Sequence, residues 1–180
     1  MTQVATRAPE TSEEYVARLL HALGSRDPFE VLRETGDELR RAIQGLSDAQ
    51  LSAAEGPGLW NIRQVIQHLS DSELVVGFRI RMVLAHDRPV LPGYDQERWA
   101  EHLHYERTDV EDALLDFERQ RNATLRLLQQ TRPEDRARVG MHSERGEESF
   151  TQMILNQAGH DIVHLRQLAR IRRAVGAASE

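Results

Sequence analysis

The sequence contains no cysteine, and this absence removes several kinds of site at once. Disulfide bonds, a thiolate nucleophile supplied by the protein and a zinc site built on cysteine are all excluded. A metal ion, if one binds, must therefore be held by histidine, aspartate or glutamate side chains. Nothing in the composition indicates an oxidising compartment.

Long hydrophobic runs and basic blocks are also scarce. No apolar run approaches the roughly 18 residues that a membrane span requires, and residues 1–10 lack the apolar segment of a secretory signal. The net charge is −6, and most arginines are accompanied by acids. The one basic cluster, residues 166–173, falls near a predicted helix end, where the helix dipole favours cations. We therefore expect a cytoplasmic protein with neither a membrane nor a nucleic-acid partner.

The apolar residues recur at helical spacing along most of the chain. This periodicity predicts four substantial helices that begin near residues 27, 60, 109 and 149, preceded by a shorter helix that looks like an extension before the bundle. Residues 89–108 form a long crossover between the second and third of the four helices. The predicted fold is all-α, a four-helix bundle with this crossover. We expect residues 1–10 to be a disordered tail and residues 11–180 to form a single domain.

Local signals set the expected helix boundaries. Thr11 opens a capping box, and Asp27 precedes Pro28 in the order typical of a helix start. Thr108 is predicted to open a second capping box, before the third bundle helix. Residues 131–148 are predicted to be a polar loop, and no segment has the period of a strand.

Two histidines interrupt the apolar stripe of the last helix. His160 and His164 stand four residues apart, so they lie on one helix face, one turn from each other. Buried imidazoles are costly unless their ring nitrogens are satisfied. A metal ion would satisfy both rings at once, whereas hydrogen bonds to side chains or carbonyls would make them ordinary core residues. The pair alone leaves both interpretations open.

A metal site with two histidines on one helix needs a further ligand from another helix. His68 is the best candidate, because it lies at the edge of the apolar stripe of the second bundle helix. Four other histidines, at positions 21, 86, 102 and 104, are expected at the surface. His142 precedes the last helix and is also expected at the surface, although from there it could reach the mouth of a site. Asp161, between the paired histidines, is expected to be a surface residue or a neighbour of the ligands.

Three segments resemble the DinB/YfiT-like family. Residues 60–73, which read WNIRQVIQHLSDSE, resemble the family's signature around a histidine in the second helix. Residues 142–147 resemble its approach to the last helix, and residues 156–165, NQAGHDIVHL, resemble its closing pair of histidines. The resemblance covers most of residues 27–175. Asn61 departs from the pattern, since family members usually carry Ser or Thr there.

The resemblance implies a four-helix bundle that holds one divalent ion on three histidines, which correspond to His68, His160 and His164. It also implies zinc or nickel as the usual metal, with manganese and iron as the alternatives. Homodimers are expected on the same ground. Characterised relatives are similar to thiol-dependent S-transferases, in which the metal binds a low-molecular-weight thiol.

Three functions remain open at this point. The first is an enzyme that transfers a low-molecular-weight thiol to an electrophilic small molecule, and the lack of cysteine suits this scheme because the nucleophile arrives with the cosubstrate. The second is a metal-dependent hydrolase, and the third is a non-catalytic stress-related protein that binds a metal or ligand. Asp95 and Asp71 are candidate catalytic carboxylates, while Tyr94 and Trp99 of the crossover are candidates for the wall of a substrate pocket.

Overall fold

A computed structural model describes residues 10–176 and confirms the all-α bundle with its long crossover. The helices and strands lie at α1 Ser12–Leu23, α2 Pro28–Ile43, α3 Asp48–Ser52, α4 Ile62–Ala85, β1 Val90–Leu91, α5 Gln96–His102, α6 Val110–Gln129, β2 Val139–His142, β3 Gly146–Ser149 and α7 Phe150–Ala174. The predicted tail falls almost entirely on residues outside the described range, so it stays a prediction. None of the helices in residues 10–176 combines the length and the hydrophobicity that a membrane span requires.

Side-chain caps begin the helices, largely as their sequences indicate. The Thr11 hydroxyl accepts from the Glu14 amide while the Glu14 carboxylate accepts from the Thr11 amide, and this reciprocal pair starts α1. The predicted capping box at Thr108 is wrong. Asp109 caps α6 instead, because its carboxylate accepts from two backbone amides of the first turn.

Four helices form the bundle, and neighbours in space are mostly not neighbours in sequence. α7 packs against α2 and α4, while α6 packs against the same two helices from the opposite side. The crossover, residues 86–109, joins α4 to its neighbour α6. α7 therefore inserts between the two helices that precede the crossover, and this places its histidines beside α4.

α1 packs closely along α7, and a glycine makes the approach possible. A Cβ atom at Gly159 would lie 2.3 Å from the backbone oxygen of Leu19, far inside contact distance. Only glycine therefore allows the two backbones to come this close. α1 is consequently a wall of the interior beside His160 rather than a loose extension of the bundle.

The prediction that the chain has no strands is wrong. β1, in the crossover, pairs in parallel with β2, and β2 pairs antiparallel with β3 through Val139–Ser149 and His142–Gly146. β1 has only two residues, Val90 and Leu91, while β2 contains a glycine and β3 a glycine and two glutamates, so none of them shows a hydrophobic alternation long enough to detect. Gly146 has φ of +75° after the three-residue turn, a conformation that suits glycine.

A polar layer divides the apolar core into two clusters. One cluster contains Leu32, Ile80 and Phe150, and the other contains Leu39, Leu69 and Leu168. Between them each bundle helix contributes buried polar side chains, which are Thr35, His68, Ser70, Ser72, Glu73, Arg121, Thr124, Gln157, His160 and Asp161. Burying a polar group costs free energy unless the group is paired, so a layer of this kind indicates a functional site.

Candidate metal centre

The three histidines expected to bind a metal ion meet inside the bundle. His68 extends from α4, and His160 and His164 extend from α7. Their ring centroids are 4.4–5.1 Å apart, and one ligand nitrogen from each ring lies within 4.8 Å of the other two. The Nε2 atoms of His68 and His160 are 3.1 Å apart. Two nitrogens bound at about 2.0–2.1 Å to one ion would be roughly 3.0–3.4 Å apart, so this spacing suits shared coordination.

Burial keeps all three imidazoles neutral. It lowers the pKa of His68 and His160 well below the ordinary value, and the neighbouring histidines lower it further. Burial likewise lowers the pKa of His164 to about 4, although a hydrogen bond with Gln167 opposes the shift. Neutral imidazoles retain the lone pair that a metal ion requires, and no proton has to be displaced near neutral pH.

Hydrogen bonding shows which ring nitrogens are available. His164 Nδ1 lies 2.7 Å from Gln167 Oε1, which can only accept there, so Nδ1 carries the proton and Nε2 has the free lone pair that can bind a metal ion. Nδ1 of His68 and Nδ1 of His160 are buried without a partner among the described residues. The donor set, three neutral imidazoles with no thiolate, suits zinc, nickel or another first-row divalent ion. The residues present therefore fit the divalent metal ion that the family resemblance implies.

Asp161 does not belong to the surface. It is fully buried, and its Oδ2 accepts from Arg121 Nη1 at 2.7 Å and from the Thr35 hydroxyl at 2.8 Å. Arg121 also donates to Glu73 at 2.9 Å. Burial raises the pKa of Glu73, whereas the two carboxylates raise the pKa of Arg121 despite its burial. Asp161 is therefore held in an ion network on α2, α4, α6 and α7.

The two candidate catalytic carboxylates have other partners in the structure. Asp71 accepts from the Tyr105 hydroxyl at 2.5 Å and from Gln67 at 3.1 Å. Asp95 is exposed and caps α5 by accepting from two backbone amides. Neither forms a hydrogen bond with the histidines, and a catalytic part for either stays a prediction.

A cavity of about 290 Å³ lies beside the histidine cluster, with His68 and His160 in its lining. Its walls come from α1, α4, α7, the crossover and the hairpin of β2 and β3. Tyr94 lines it and stacks against Trp99, with 4.5 Å between ring centroids, so Trp99 supports the wall rather than facing the cavity. Burial raises the pKa of Tyr94 to about 12, and its phenol stays protonated.

The structure also adds residues that the sequence analysis missed or misplaced. His142 is 3% exposed and lines the cavity, so its expected surface position is wrong. Burial lowers its pKa to about 4, and Arg145 and Arg79 lower it further. Tyr15 and Arg79 line the same cavity, and no motif or spacing in the sequence predicted that they would. Their places depend on how α1 and the hairpin pack, which local spacing does not encode.

The fold and the cluster together define a helical-bundle protein with a buried three-histidine centre of the kind that holds a divalent ion. The chain belongs to the DinB superfamily, whose family model matches residues 32–168.

Individual relatives agree with this assignment. A protein of Oceanobacillus iheyensis named "Putative metal-dependent hydrolase" is 30% identical over 133 residues, covering 74% of this chain and 77% of the relative. A protein of Bacillus mycoides with the same descriptive name is 28% identical over 141 residues, with 78% and 81% covered. The solved structure of YfiT from Bacillus subtilis, described as a probable metal-dependent hydrolase with an unusual four-helix bundle topology, superposes with a TM-score of 0.78 at 21% identity. That match covers 96% of this chain and 93% of YfiT.

Proposed function

We propose that the chain is a metal-dependent enzyme that transfers a low-molecular-weight thiol to an electrophilic small molecule. The observation that carries the proposal is the convergence of His68, His160 and His164, all neutral, beside a cavity that His68 and His160 line and that is large enough for a small molecule. Three neutral ligands leave the charge of a divalent ion uncompensated and its other positions open, which is the pattern of catalytic rather than structural sites. When bound, such an ion supplies Lewis acidity, which lowers the pKa of a thiol or water in contact with it.

The carboxylates around the histidines favour a thiol over water as the nucleophile. Asp161 and Glu73 form ion pairs with Arg121, and Asp71 accepts hydrogen bonds from Tyr105 and Gln67. None of these groups lines the cavity as a free general base. A thiol with an ordinary pKa near 8.5 needs little help to lose its proton, whereas water, with a pKa near 15.7, needs much more.

The overall reaction balances without an oxidant or a reductant. A carbon–sulfur bond forms between the thiol and the electrophilic carbon, and the bond from that carbon to its leaving group breaks. The leaving group departs with the electron pair of that bond, and the thiol proton passes to solvent. Because the chain has no cysteine, the sulfur must come from a cosubstrate.

Hydrolysis is the second candidate, because the curated relatives are named as metal-dependent hydrolases. The same residues would then hold the ion, and a water would occupy the place of the thiol. The arrangement of side chains supplies the ligands for this reaction, but the buried carboxylates of Glu73 and Asp161 are already paired with Arg121. A role without catalysis is the outcome if no turnover is found with a fully metallated protein.

Metal content tests the ligand set. We expect protein purified without an affinity tag to hold about one divalent ion per chain, with elemental analysis identifying the metal. His160→Ala should abolish stoichiometric binding, while the matched control His21→Ala, at an exposed position of α1, should keep it. A fully metallated His160→Ala protein would overturn the assignment.

Turnover tests the chemistry. Loaded protein should conjugate 1-chloro-2,4-dinitrobenzene with an added thiol such as cysteine, and the rate should depend on both the thiol and the metal. Hydrolysis of 4-nitrophenyl acetate in the absence of thiol would instead favour the second candidate. Activity that survives complete removal of the metal would contradict both.

Homodimer formation and a cytoplasmic location remain proposals that rest on the family and the composition. Light scattering that gives a particle of 20.6 kDa at micromolar concentration would contradict the dimer.

A further inference from the structure

The far end of the cavity contains a buried cation, Arg79, that forms no salt bridge with a carboxylate of residues 10–176. On α4 the residues lining the cavity are His68, Ser72, Val76 and Arg79, which follow one helix face away from the histidine cluster. Arg79 follows His68 by eleven positions, which correspond to about 16 Å along the helix axis. Arg79 is 5% exposed. Among the described residues its guanidinium has one hydrogen bond, from Nη2 to the backbone oxygen of Pro92, and Nε has no partner.

A second unpaired donor lies at the same end. His142 Nδ1 accepts from the backbone amides of Glu144 and Arg145, at 3.2 and 3.4 Å, so the ring proton is on Nε2. Nε2 is buried and has no partner among the described residues. A buried donor left without an acceptor is costly, so a ligand that supplies an acceptor would gain affinity.

The acids that line this part of the cavity are largely engaged elsewhere. Glu148 accepts from Arg145 at 2.9 Å and from Asn156 at 2.8 Å, which uses both oxygens. Glu10 forms a two-pronged pair with Arg18. Glu144 is exposed. Burial first, and Arg145 second, lower the pKa of Arg79, and the raising effects of Glu148 and Glu144 do not cancel this.

We propose that Arg79 and His142 form a subsite for a carboxylate group of the small molecule that binds in this cavity. A planar guanidinium and an imidazole N–H are the donors that a carboxylate accepts from most readily. The substrate class is thereby narrowed to small organic acids whose anionic group lies away from the reacting atom. The inference rests on the proposed function only in treating this cavity as the substrate pocket.

A matched pair of probes tests the subsite. 4-Phenylbutyrate and its neutral amide, 4-phenylbutanamide, differ in the anionic group, and calorimetry gives the affinity of each for the metallated protein. We expect the acid to bind at least about tenfold more tightly than the amide, since a charge-assisted hydrogen bond in a buried site is worth roughly a factor of ten or more. Arg79→Gln should bring the ratio near one.

Three controls separate the subsite from other causes. Arg126→Gln removes the same charge from an exposed position of α6 and should leave the ratio unchanged. Arg79→Lys keeps the charge and should retain part of the preference, which guards against a folding defect in Arg79→Gln. Removing the metal with a chelator should also leave the affinity ratio of acid to amide unchanged, because the carboxylate binds to Arg79 rather than to the ion.

The outcomes distinguish this inference from the proposed function. A preference that survives in Arg79→Gln, or that disappears only when the metal is removed, would overturn the subsite. Protein that never binds a metal but still prefers the acid through Arg79 would overturn the proposed function and leave the subsite standing.

Discussion

His160 and Asp161 are adjacent on α7, yet they belong to two polar clusters of opposite character. The carboxylate of Asp161 is closed into a network with Arg121, Glu73 and Thr35, so the charge of each ionised group has an opposite partner inside the protein. The ring of His160 faces two other neutral imidazoles, and its Nε2 lies 3.1 Å from Nε2 of His68, a spacing that suits one shared ion. The comparison shows two fates for buried polar side chains. Those of the closed cluster pair with opposite charges inside the protein, whereas the histidines of the open cluster keep lone pairs that a ligand can use.

The closed cluster should be the more sensitive to a single change. Arg121→Met removes the cation and leaves two carboxylates buried together, which we expect to cost about 3–5 kcal/mol of the free energy of unfolding. Urea denaturation monitored by circular dichroism measures the loss. Arg119→Met, at an exposed position of the same helix, is the control and should change little. A loss below about 1 kcal/mol for Arg121→Met would mean that the network does not hold the bundle together.

The open cluster should gain stability from its metal ion, although the protein should not need the ion to fold. Chelation should leave the helical circular-dichroism signal largely intact, because two apolar clusters remain on either side of the site. The free energy of unfolding should still fall, by about 2.7 kcal/mol if the ion was present at a hundred times its dissociation constant. His160→Ala should show no such response to chelator. A bundle that melts on chelation would make the centre chiefly structural.

Lowering the pH should reduce the free energy of unfolding through His142, which lines the cavity beside the open cluster. Its pKa is about 4 in the folded protein, below the ordinary histidine value of 6.5, so the unfolded chain binds the proton first. Its contribution to stability is therefore present above about pH 6.5 and is lost as the pH falls towards 4. By pH 5 we expect the wild type to lose on the order of 1–2 kcal/mol more than His142→Gln. Denaturant unfolding of both metal-free proteins at pH 7 and pH 5 checks this, and equal losses would contradict it.

The smallest effect should come from Asp95, which caps α5 but is also a candidate for chemistry. Asp95→Ala should cost about 1 kcal/mol of stability as a lost cap. Asp109→Ala is the matched control, since Asp109 caps α6 with the same two amide contacts. If both variants keep the metal and the turnover rate, Asp95 is a cap alone. A selective loss of turnover in Asp95→Ala would restore its catalytic role.

Several parts of this protein could be predicted from the sequence because they depend on near neighbours in the chain. The spacing of apolar residues predicted the bundle helices, and Thr11 and Asp27 marked helix starts correctly. The four-residue spacing of His160 and His164 placed both rings on one face, since helix geometry alone decides that. The family pattern added His68, which the structure brings to the other two.

Other features were decided only when distant segments met. The sheet joins the crossover to the segment before α7, and its short polar strands are specified by pairing rather than by a hydrophobic period. Asp161 could be identified as an internal ion-pair partner only once Arg121, 40 residues earlier in the chain, packed beside it. The placement of Arg79 and His142 at one end of a cavity has the same origin. Spacing along a helix determines which side chains share a face, whereas burial and the supply of hydrogen-bond partners are properties of the packed bundle, so only the tertiary structure could divide the polar residues into a closed network and an open site.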